Sequence, residues 1–113
     1  MPLPGPPRDA GSSPLDFTAG RPVGSTELDA FFPAEPGSRT ELYDPRTGRV
    51  LTVRTEHRGI AVYSADGYRE PRAGFCLQPG PWPDAPNRPD FPSARIDPGE
   101  RQRWRTAYVF SVC

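Results

Sequence analysis

The alternation of apolar and polar side chains from Arg39 onwards predicts β-strands. Two alternating runs flank the segment Asp44-Pro45-Arg46-Thr47-Gly48, the pattern of a hairpin with a longer loop. Further strand-like runs follow at 59–65, at 73–78, near 93–97, and from about Gln102 to Val112 after a Pro98-Gly99 turn. No segment has a sustained 3.6-residue apolar period. The pattern therefore predicts an antiparallel all-β fold with five or six strands.

The last run predicts burial on both of its faces. One face carries Trp104, Thr106, Tyr108 and Phe110, and the other carries Ala107 and Val109. Both faces are therefore expected to be at least half buried, as in an antiparallel β-sandwich. Five or six such strands cannot cover one another, because each apolar face needs a second layer. We expect the chain to self-associate or to form part of a larger structure.

Proline and glycine concentrate in two segments of this chain, which at 113 residues is one domain at most. Of the 17 Pro and 11 Gly, 11 Pro and four Gly fall in residues 1–14 and in the stretch 74–92. Residues 1–12 are predicted to be a disordered Pro/Gly-rich tail that precedes a domain of residues 13–113. The tail sequence LPGPPR also loosely resembles a ligand for an aromatic-groove adaptor domain, which is a remote alternative function.

The second Pro-rich segment has the composition of a rigid loop. It holds six prolines in 19 residues, and Phe75, Leu77, Trp82 and Phe91 are interleaved with them. Proline excludes helix and central strand after Gln78, because it fixes φ and removes a backbone donor. Disordered linkers contain few aromatic residues. The segment is therefore expected to hold a neighbouring group in place.

Charge and residue inventory exclude several functions. The 14 basic and 14 acidic residues balance, so neither nucleic acid nor a membrane surface is an expected partner. All 14 basic residues are Arg. One His and two distant Cys cannot form a structural zinc site, and no metal or other cofactor is expected. A nucleophilic pair of His57 with Cys76 or Cys113 is formally possible, although His57 lies in a polar turn. A cytoplasmic location is expected, since no signal peptide or membrane-spanning run is visible.

The C-terminal third of the chain resembles a known family. The stretch GFCLQPGPWPDAPNRPDFPSARIDPGERQRWRTAYVFSV is similar to the end of the aldose 1-epimerases, the galactose mutarotase family. The matching positions, in the same order and spacing, are Pro83-Asp84, Asn87, Pro89, Phe91-Pro92 and Pro98-Gly99-Glu100. Upstream, SPLDF at 13–17 and the run 42–67 are similar to collinear family segments. The likeness covers about residues 13–112, roughly the last third of a family member.

The resemblance implies a fold and a reaction. The family fold is a large β-sandwich of many more strands, of which this chain would be the C-terminal part. Its members open an aldohexose ring at C1 and close it to the other anomer. A carboxylate general base takes the proton of the anomeric hydroxyl, and a histidine general acid protonates the ring oxygen. The Pro-rich loop would then hold the base at the end of its strand.

Transfer of the family's site to this chain is incomplete. Gln78 occupies the position of the catalytic Glu, and a neutral amide cannot act as a base. Gly80 replaces a following Gln, and Ala61 stands where a sugar-contacting Gln is expected. Asp29 is predicted to correspond to the Asp that binds sugar hydroxyls, with an exposed turn residue as the alternative. The acid histidine belongs to the family's N-terminal portion, and His57 does not match it.

Two functions therefore follow from the sequence. The first is an aldose 1-epimerase for an aldohexose such as galactose or glucose, active only if an N-terminal complementing chain supplies the acid. The second is a non-catalytic carbohydrate-binding or structural interaction module. Gln78 and the unmatched histidine favour the second for this chain by itself, whereas the resemblance favours the first for the complete protein.

Overall fold

The computed structural model describes residues 15–113 and has an all-β architecture there. Its strands are β1 (Asp29–Pro33), β2 (Arg39–Asp44), β3 (Arg49–Thr55), β4 (Gly59–Tyr63), β5 (Cys76–Pro79) and β6 (Thr106–Val112). One 3-10 turn, Ala85–Asn87, lies between β5 and β6. The strands form two antiparallel three-stranded sheets, β1-β4-β5 and β2-β3-β6. The all-β prediction is confirmed, while the predicted tail of residues 1–12 lies outside the described residues.

The hairpin β2-β3 forms as the alternation predicts, and its loop explains the register. The Asp44 carboxylate accepts hydrogen bonds from the Arg46 N–H at 3.1 Å and from the Thr47 hydroxyl at 2.7 Å. These bonds, that of Thr47 foremost, lower the pKa of Asp44. Gly48 has a φ of 73°, which a side chain would disfavour, and its N–H returns to the Asp44 carbonyl at 2.8 Å. The turn thereby aligns Asp44 opposite Arg49.

Strand β1 is an element that the sequence pattern did not predict. It is five residues long and ends in Pro33, which lowers its strand propensity. It pairs with β4 from Asp29 opposite Tyr63 to Pro33 opposite Gly59. Pro33 is tolerated because β1 is an edge strand, and it stands at the end of the ladder. Tertiary pairing with β4 therefore creates a strand where local preference alone does not.

Several predicted strand limits are wrong, and missing ladder partners explain them. Strand β6 begins at Thr106 rather than Gln102, because its neighbour β3 ends at Thr55, which pairs with Thr106. The strand expected near 93–97 is absent, and those residues are exposed loop. Strand β4 ends at Tyr63, before Ala65 with its φ of 60°, and β5 covers only Cys76–Pro79.

The buried core of the described chain is small. Its buried apolar residues are Leu28, Val53, Ile60, Ala65, Ala85 and Phe91. Strand β6 contributes little to this core, since Phe110 is 77% exposed and Val112 is 78% exposed. The expectation that both faces of β6 are half buried is therefore wrong for the described residues, because nothing within them covers that strand. Within residues 15–113, the apolar side chains of β6 are therefore left largely uncovered.

Candidate functional site

The sheet β1-β4-β5 brings together three positions that the sequence singles out. Gln78 on β5 lies directly opposite Ala61 on β4, and Ala61 in turn lies opposite Phe31 on β1. Residues that oppose each other in an antiparallel pair have side chains on the same face of the sheet. Gln78 is solvent-exposed and is the third of the four residues of β5. It thus lies near the end of its strand. The proline-rich part of the loop, residues 79–92, follows it directly.

Asp29 lies on the same face at the opposite edge of this sheet. It is the first residue of β1, it is exposed, and it is two residues from Phe31, so its side chain points the same way as that of Phe31. Asp29 and Gln78 are two strands apart across the sheet and two residues apart along the strand direction. Their Cα atoms are therefore about 12 Å apart. We call the face that carries Asp29, Phe31, Ala61, Tyr63 and Gln78 the Gln78 face.

Two tyrosines and a cysteine adjoin Gln78 and Asp29, and the sequence reasoning did not identify them as a group. Tyr63 lies between Asp29 and Cys76 in the ladder, so it shares the Gln78 face. Its ring meets that of Tyr68 edge-on at 5.9 Å. The hydroxyl of Tyr68 is 4.0 Å from the sulfur of Cys76, and this interaction raises the pKa of Tyr68. The period-two alternation of β4 was the signal that could have indicated Tyr63.

A buried hydroxyl fixes the segment that leads into Asp29. Ser64 is fully buried, and its Oγ accepts a hydrogen bond from the Leu28 N–H at 2.8 Å. The Ser64 N–H donates to the Leu28 carbonyl at 2.8 Å, so the two residues are held by both main-chain and side-chain bonds. The Ser64 hydroxyl also contacts the Asp66 carboxylate. Because Leu28 directly precedes Asp29, this contact positions the start of β1.

An arginine completes this support. The Arg72 guanidinium bonds Asp66 at 3.0 Å, the carbonyl of Thr26 at 3.1 Å and that of Gly24 at 2.7 Å. The Ser64 hydroxyl chiefly, and Arg72 in addition, hold the pKa of Asp66 below its ordinary value. The network ties the chain before β1 to the turn after β4. It therefore supports one end of the Gln78 face.

The Pro-rich loop supports the other end. The Gly80 N–H donates to the Gly59 carbonyl at 3.1 Å, which continues the pairing of β5 beyond its last strand residue. The Trp82 indole N–H then donates to the Arg58 carbonyl at 2.9 Å. The Trp82 ring packs edge-on against Phe91 at 5.0 Å, and Phe91 is buried. Trp82 and Phe91 thereby anchor the loop beside the start of β4.

Polar contacts close the loop between its two aromatic anchors. Asp84 has a φ of 64°, and its carboxylate accepts a hydrogen bond from the Asn87 side-chain amide at 2.6 Å. Arg88 lies over the Phe91 ring at 4.5 Å and forms an ion pair with Asp90 at 2.7 Å. The Asp90 pair raises the pKa of Arg88, and Arg88 lowers that of Asp90. The acidic residues here act in turns, as their Pro neighbours indicate.

His57 does not join the Gln78 face or either cysteine. Its ring stacks on that of Trp104 with the ring centroids 4.9 Å apart, and its backbone N–H donates to Thr55 Oγ1 at 3.1 Å. Cys76 pairs with Tyr63 at the far end of β4 from His57, and Cys113 follows Val112, which pairs with Arg49 at the far end of β3. The structure therefore does not form the formally possible nucleophilic pair, and His57 lies in a bend between β3 and β4, as its polar neighbours indicate.

An open groove of about 180 Å³ lies beside His57 and is walled by Trp82 and Trp104. Neither Gln78 nor Asp29 lines it. Because this groove contains neither of the two site residues that the sequence predicts, the Gln78 face remains the candidate site. Within residues 15–113, no three His, Cys, Asp or Glu side chains converge in a way that could hold a metal ion. No helix of that part of the chain could cross a membrane.

Comparison with known proteins gives one consistent result. The family model for aldose 1-epimerase matches residues 5–109, and so begins inside the predicted tail. Galactose mutarotase from Bos taurus is 37% identical over 78 residues, which are 58% of this chain and 22% of the relative. The Sus scrofa protein is 39% identical over 77 residues, 58% of this chain and 22% of the relative.

The human relative extends the same likeness. Galactose mutarotase from Homo sapiens is 38% identical over 82 residues, 63% of this chain and 24% of the relative. The chain thus spans about a quarter of the length of the curated relatives that it matches, a smaller share than the third expected from the sequence. The family model covers nearly the whole chain. This chain belongs to the aldose 1-epimerase family.

Proposed function

We propose that this chain supplies the sugar-facing sheet of an aldose 1-epimerase and that Gln78 stands at the position of the general base. The complete protein would interconvert the α and β anomers of an aldohexose such as galactose or glucose. The single observation that carries the proposal is that Gln78, Ala61 and Asp29 share one face of the sheet, on which Gln78 and Asp29 are exposed. The resemblance assigns all three of these positions to the sugar site.

The roles of these residues follow from their chemistry. The Asp29 carboxylate accepts hydrogen bonds from sugar hydroxyls, as an acceptor-only group must. The Gln78 amide can donate to or accept from the anomeric hydroxyl, but it cannot remove a proton. Ala61 has no polar side-chain atom, so it adds no contact beside Gln78. The face would therefore bind an aldose without catalysing the proton transfers of the reaction.

Catalysis by this chain alone is accordingly impaired in our proposal. A general acid or base typically contributes a factor of about 10²–10⁴ to the rate. Gln78 cannot provide the rate enhancement of a general base. His57 stacks on Trp104 and does not supply the general acid. An N-terminal complementing chain would have to provide the histidine. A cytoplasmic location remains a prediction from the sequence.

A non-catalytic carbohydrate-binding or interaction module is the second candidate. The observation that favours it is the uncharged Gln78 facing the methyl group of Ala61, where turnover needs a carboxylate. The two functions differ in one respect that can be measured. Both predict binding of an aldose to the Gln78 face, but only the first predicts that a carboxylate at position 78 restores turnover in a completed protein.

The experiment joins residues 13–113 to the N-terminal part of a galactose mutarotase and follows anomer interconversion by polarimetry. We expect Gln78→Glu to raise the rate by about 10²-fold or more over the parent fusion. Gln78→Asn is the matched control, since it stays neutral and should give no gain. Equal rates for the Glu and Asn variants, in fusions that fold and bind galactose, would favour the non-catalytic module.

A further inference from the structure

Asp29 is the first residue of β1, so the main chain on either side of it decides where its carboxylate points. It opposes Tyr63 in the ladder. The residues just before this pair are hydrogen-bonded, since the Ser64 N–H donates to the Leu28 carbonyl at 2.8 Å. Hydrogen-bonded and non-hydrogen-bonded pairs alternate in an antiparallel ladder, so Asp29 makes no main-chain bond to Tyr63. The position of Asp29 therefore depends on the bonds of its neighbours, Leu28 among them.

A side chain supplies the second bond between Leu28 and Ser64. In a regular ladder the Leu28 N–H would donate to the main-chain carbonyl of its partner. Here it donates to the Ser64 Oγ at 2.8 Å, because β4 ends at Tyr63 and the chain turns away at Ala65, which has a φ of 60°. Ser64 and Leu28 are both buried. Water therefore has little access to replace this bond.

Two charged side chains orient the Ser64 hydroxyl. A serine hydroxyl has one hydrogen to donate and two lone pairs that accept, whereas a carboxylate only accepts. The hydroxyl therefore donates to the Asp66 carboxylate that it contacts, and its lone pairs stay available for the Leu28 N–H. The Arg72 guanidinium bonds Asp66 at 3.0 Å. It also donates to two main-chain carbonyls that precede Leu28, at 3.1 Å and 2.7 Å.

We propose that Ser64 is a positioning residue for the sugar site, whose hydroxyl fixes the direction of the Asp29 carboxylate and thereby the affinity of the Gln78 face for an aldose. Ser64 does not touch the sugar, because it is fully buried. Asp66 and Arg72 act through the same hydroxyl. The inference rests on the proposed function, since it takes Asp29 as the group that binds sugar hydroxyls.

Loss of the hydroxyl would displace the start of β1. The Leu28 N–H would then be buried without an acceptor, which is costly, so the segment before β1 would shift until this N–H finds another partner. Within residues 15–113 no ion pair involves Asp29, so no opposite charge would hold its carboxylate in place during that shift. Hydrogen bonds weaken steeply when they are bent. The shift therefore weakens the bonds from sugar hydroxyls to Asp29.

Titration of the full 113-residue chain with galactose, followed by NMR, tests this proposal. We expect Ser64→Ala to raise the dissociation constant about fivefold, the effect of one weakened hydrogen bond. Thr55→Val is the matched control, since Thr55 is also buried and its Oγ1 also accepts a main-chain N–H, that of His57 at 3.1 Å. Thr55 lies in the other sheet, so its loss should leave the dissociation constant unchanged.

A double-mutant cycle separates positioning from a general loss of stability. Asp29→Ala removes the carboxylate, and we expect it to raise the dissociation constant about tenfold, as for the loss of a hydrogen bond to a charged group. In the Asp29→Ala chain, Ser64→Ala should add less than about twofold, because it acts through that carboxylate. A general structural effect of Ser64→Ala would instead be the same with and without Asp29.

Arg72→Gln is a second variant in case Ser64→Ala does not fold, since the Arg72 side chain is partly exposed. It should weaken galactose binding in the wild-type chain but not in the Asp29→Ala chain. If Asp29→Ala weakens binding, three results overturn the inference alone: no effect of Ser64→Ala or Arg72→Gln, an equal effect of Thr55→Val, or additivity with Asp29→Ala. A wild-type chain that binds no galactose, or binds it equally well after Asp29→Ala, contradicts the proposed function and the inference with it.

Discussion

Gln78 and Ala61 lie directly opposite each other on β5 and β4, on the sheet face that also carries Asp29. An amide therefore faces a methyl group at the centre of the candidate sugar site. Opposed side chains have Cβ atoms about 4.5–5.5 Å apart, so a longer polar residue at position 61 would reach the same ligand atoms as Gln78. In our proposal this pair lets the face bind a hydroxyl but not deprotonate it.

The first prediction concerns this pair in the fusion with the N-terminal part of a galactose mutarotase. In the fusion that carries Gln78→Glu, Ala61→Gln should lower KM for galactose about fivefold, because one added hydrogen bond contributes about 1 kcal/mol. Ala107→Gln adds the same amide to β6, away from the face, and should leave KM unchanged. An unchanged KM for Ala61→Gln would show that position 61 does not contact the sugar.

The second prediction concerns Gly59, where β1 and β4 approach closely. A Cβ there would overlap the Phe31 ring and lie 2.7 Å from the Phe32 carbonyl oxygen. Gly59→Ala should therefore lower the free energy of unfolding by about 1–3 kcal/mol, measured by urea denaturation. Gly74→Ala is the control, since nothing lies within 4 Å of its Cβ position. Similar stability of the two variants would contradict the close approach of β1 to β4.

The sequence predicted the hairpin β2-β3 and strand β4 well because their alternation is strong and their turns carry Asp, Pro and Gly. It missed β1, whose five residues become a strand only by pairing with β4. It also overextended β6, since residues 102–105 have strand-like alternation but lie beyond the last ladder pair of β6 with β3, which is Thr55 with Thr106. Local pattern predicts which segments can be strands, while the length of each ladder depends on the partner.

The candidate site, like the fold, could be predicted from the sequence only in part. The resemblance identified Gln78, Ala61 and Asp29 one at a time, and residue types alone indicated what each could do. That Asp29 shares a face with Gln78 could not be read from the sequence, because it depends on β1 pairing with β4 in a register that puts Asp29 opposite Tyr63. The hydrogen bonds between Ser64 and Leu28 were missed for the same reason, since 36 residues separate the two.

The third prediction is a pH dependence at Asp66. Its pKa in the folded chain is lowered, first by the Ser64 hydroxyl and then by Arg72. The contact therefore stabilises the fold at pH values above the unfolded pKa of about 3.9, and this stabilisation is lost as the pH falls through the lower folded pKa. Asp66→Asn should be less stable than wild type at pH 7, and the difference should shrink as the pH falls below about 4.

Urea denaturation at several pH values measures this difference. Glu35→Gln is a suitable control, because it removes one negative charge from an exposed turn that makes no contact with Arg72. A stability difference for Asp66→Asn that stays constant from pH 7 down to pH 2 would contradict the assigned cause of the lowered pKa.

The most direct test of the central claim is polarimetry of freshly dissolved galactose or glucose with and without the 113-residue chain. The account predicts that anomer interconversion does not exceed the spontaneous rate, because Gln78 cannot accept the proton of the anomeric hydroxyl. The Gln78→Ala variant should give that same spontaneous rate. A clear acceleration by the wild-type chain that disappears in Gln78→Ala would contradict the account.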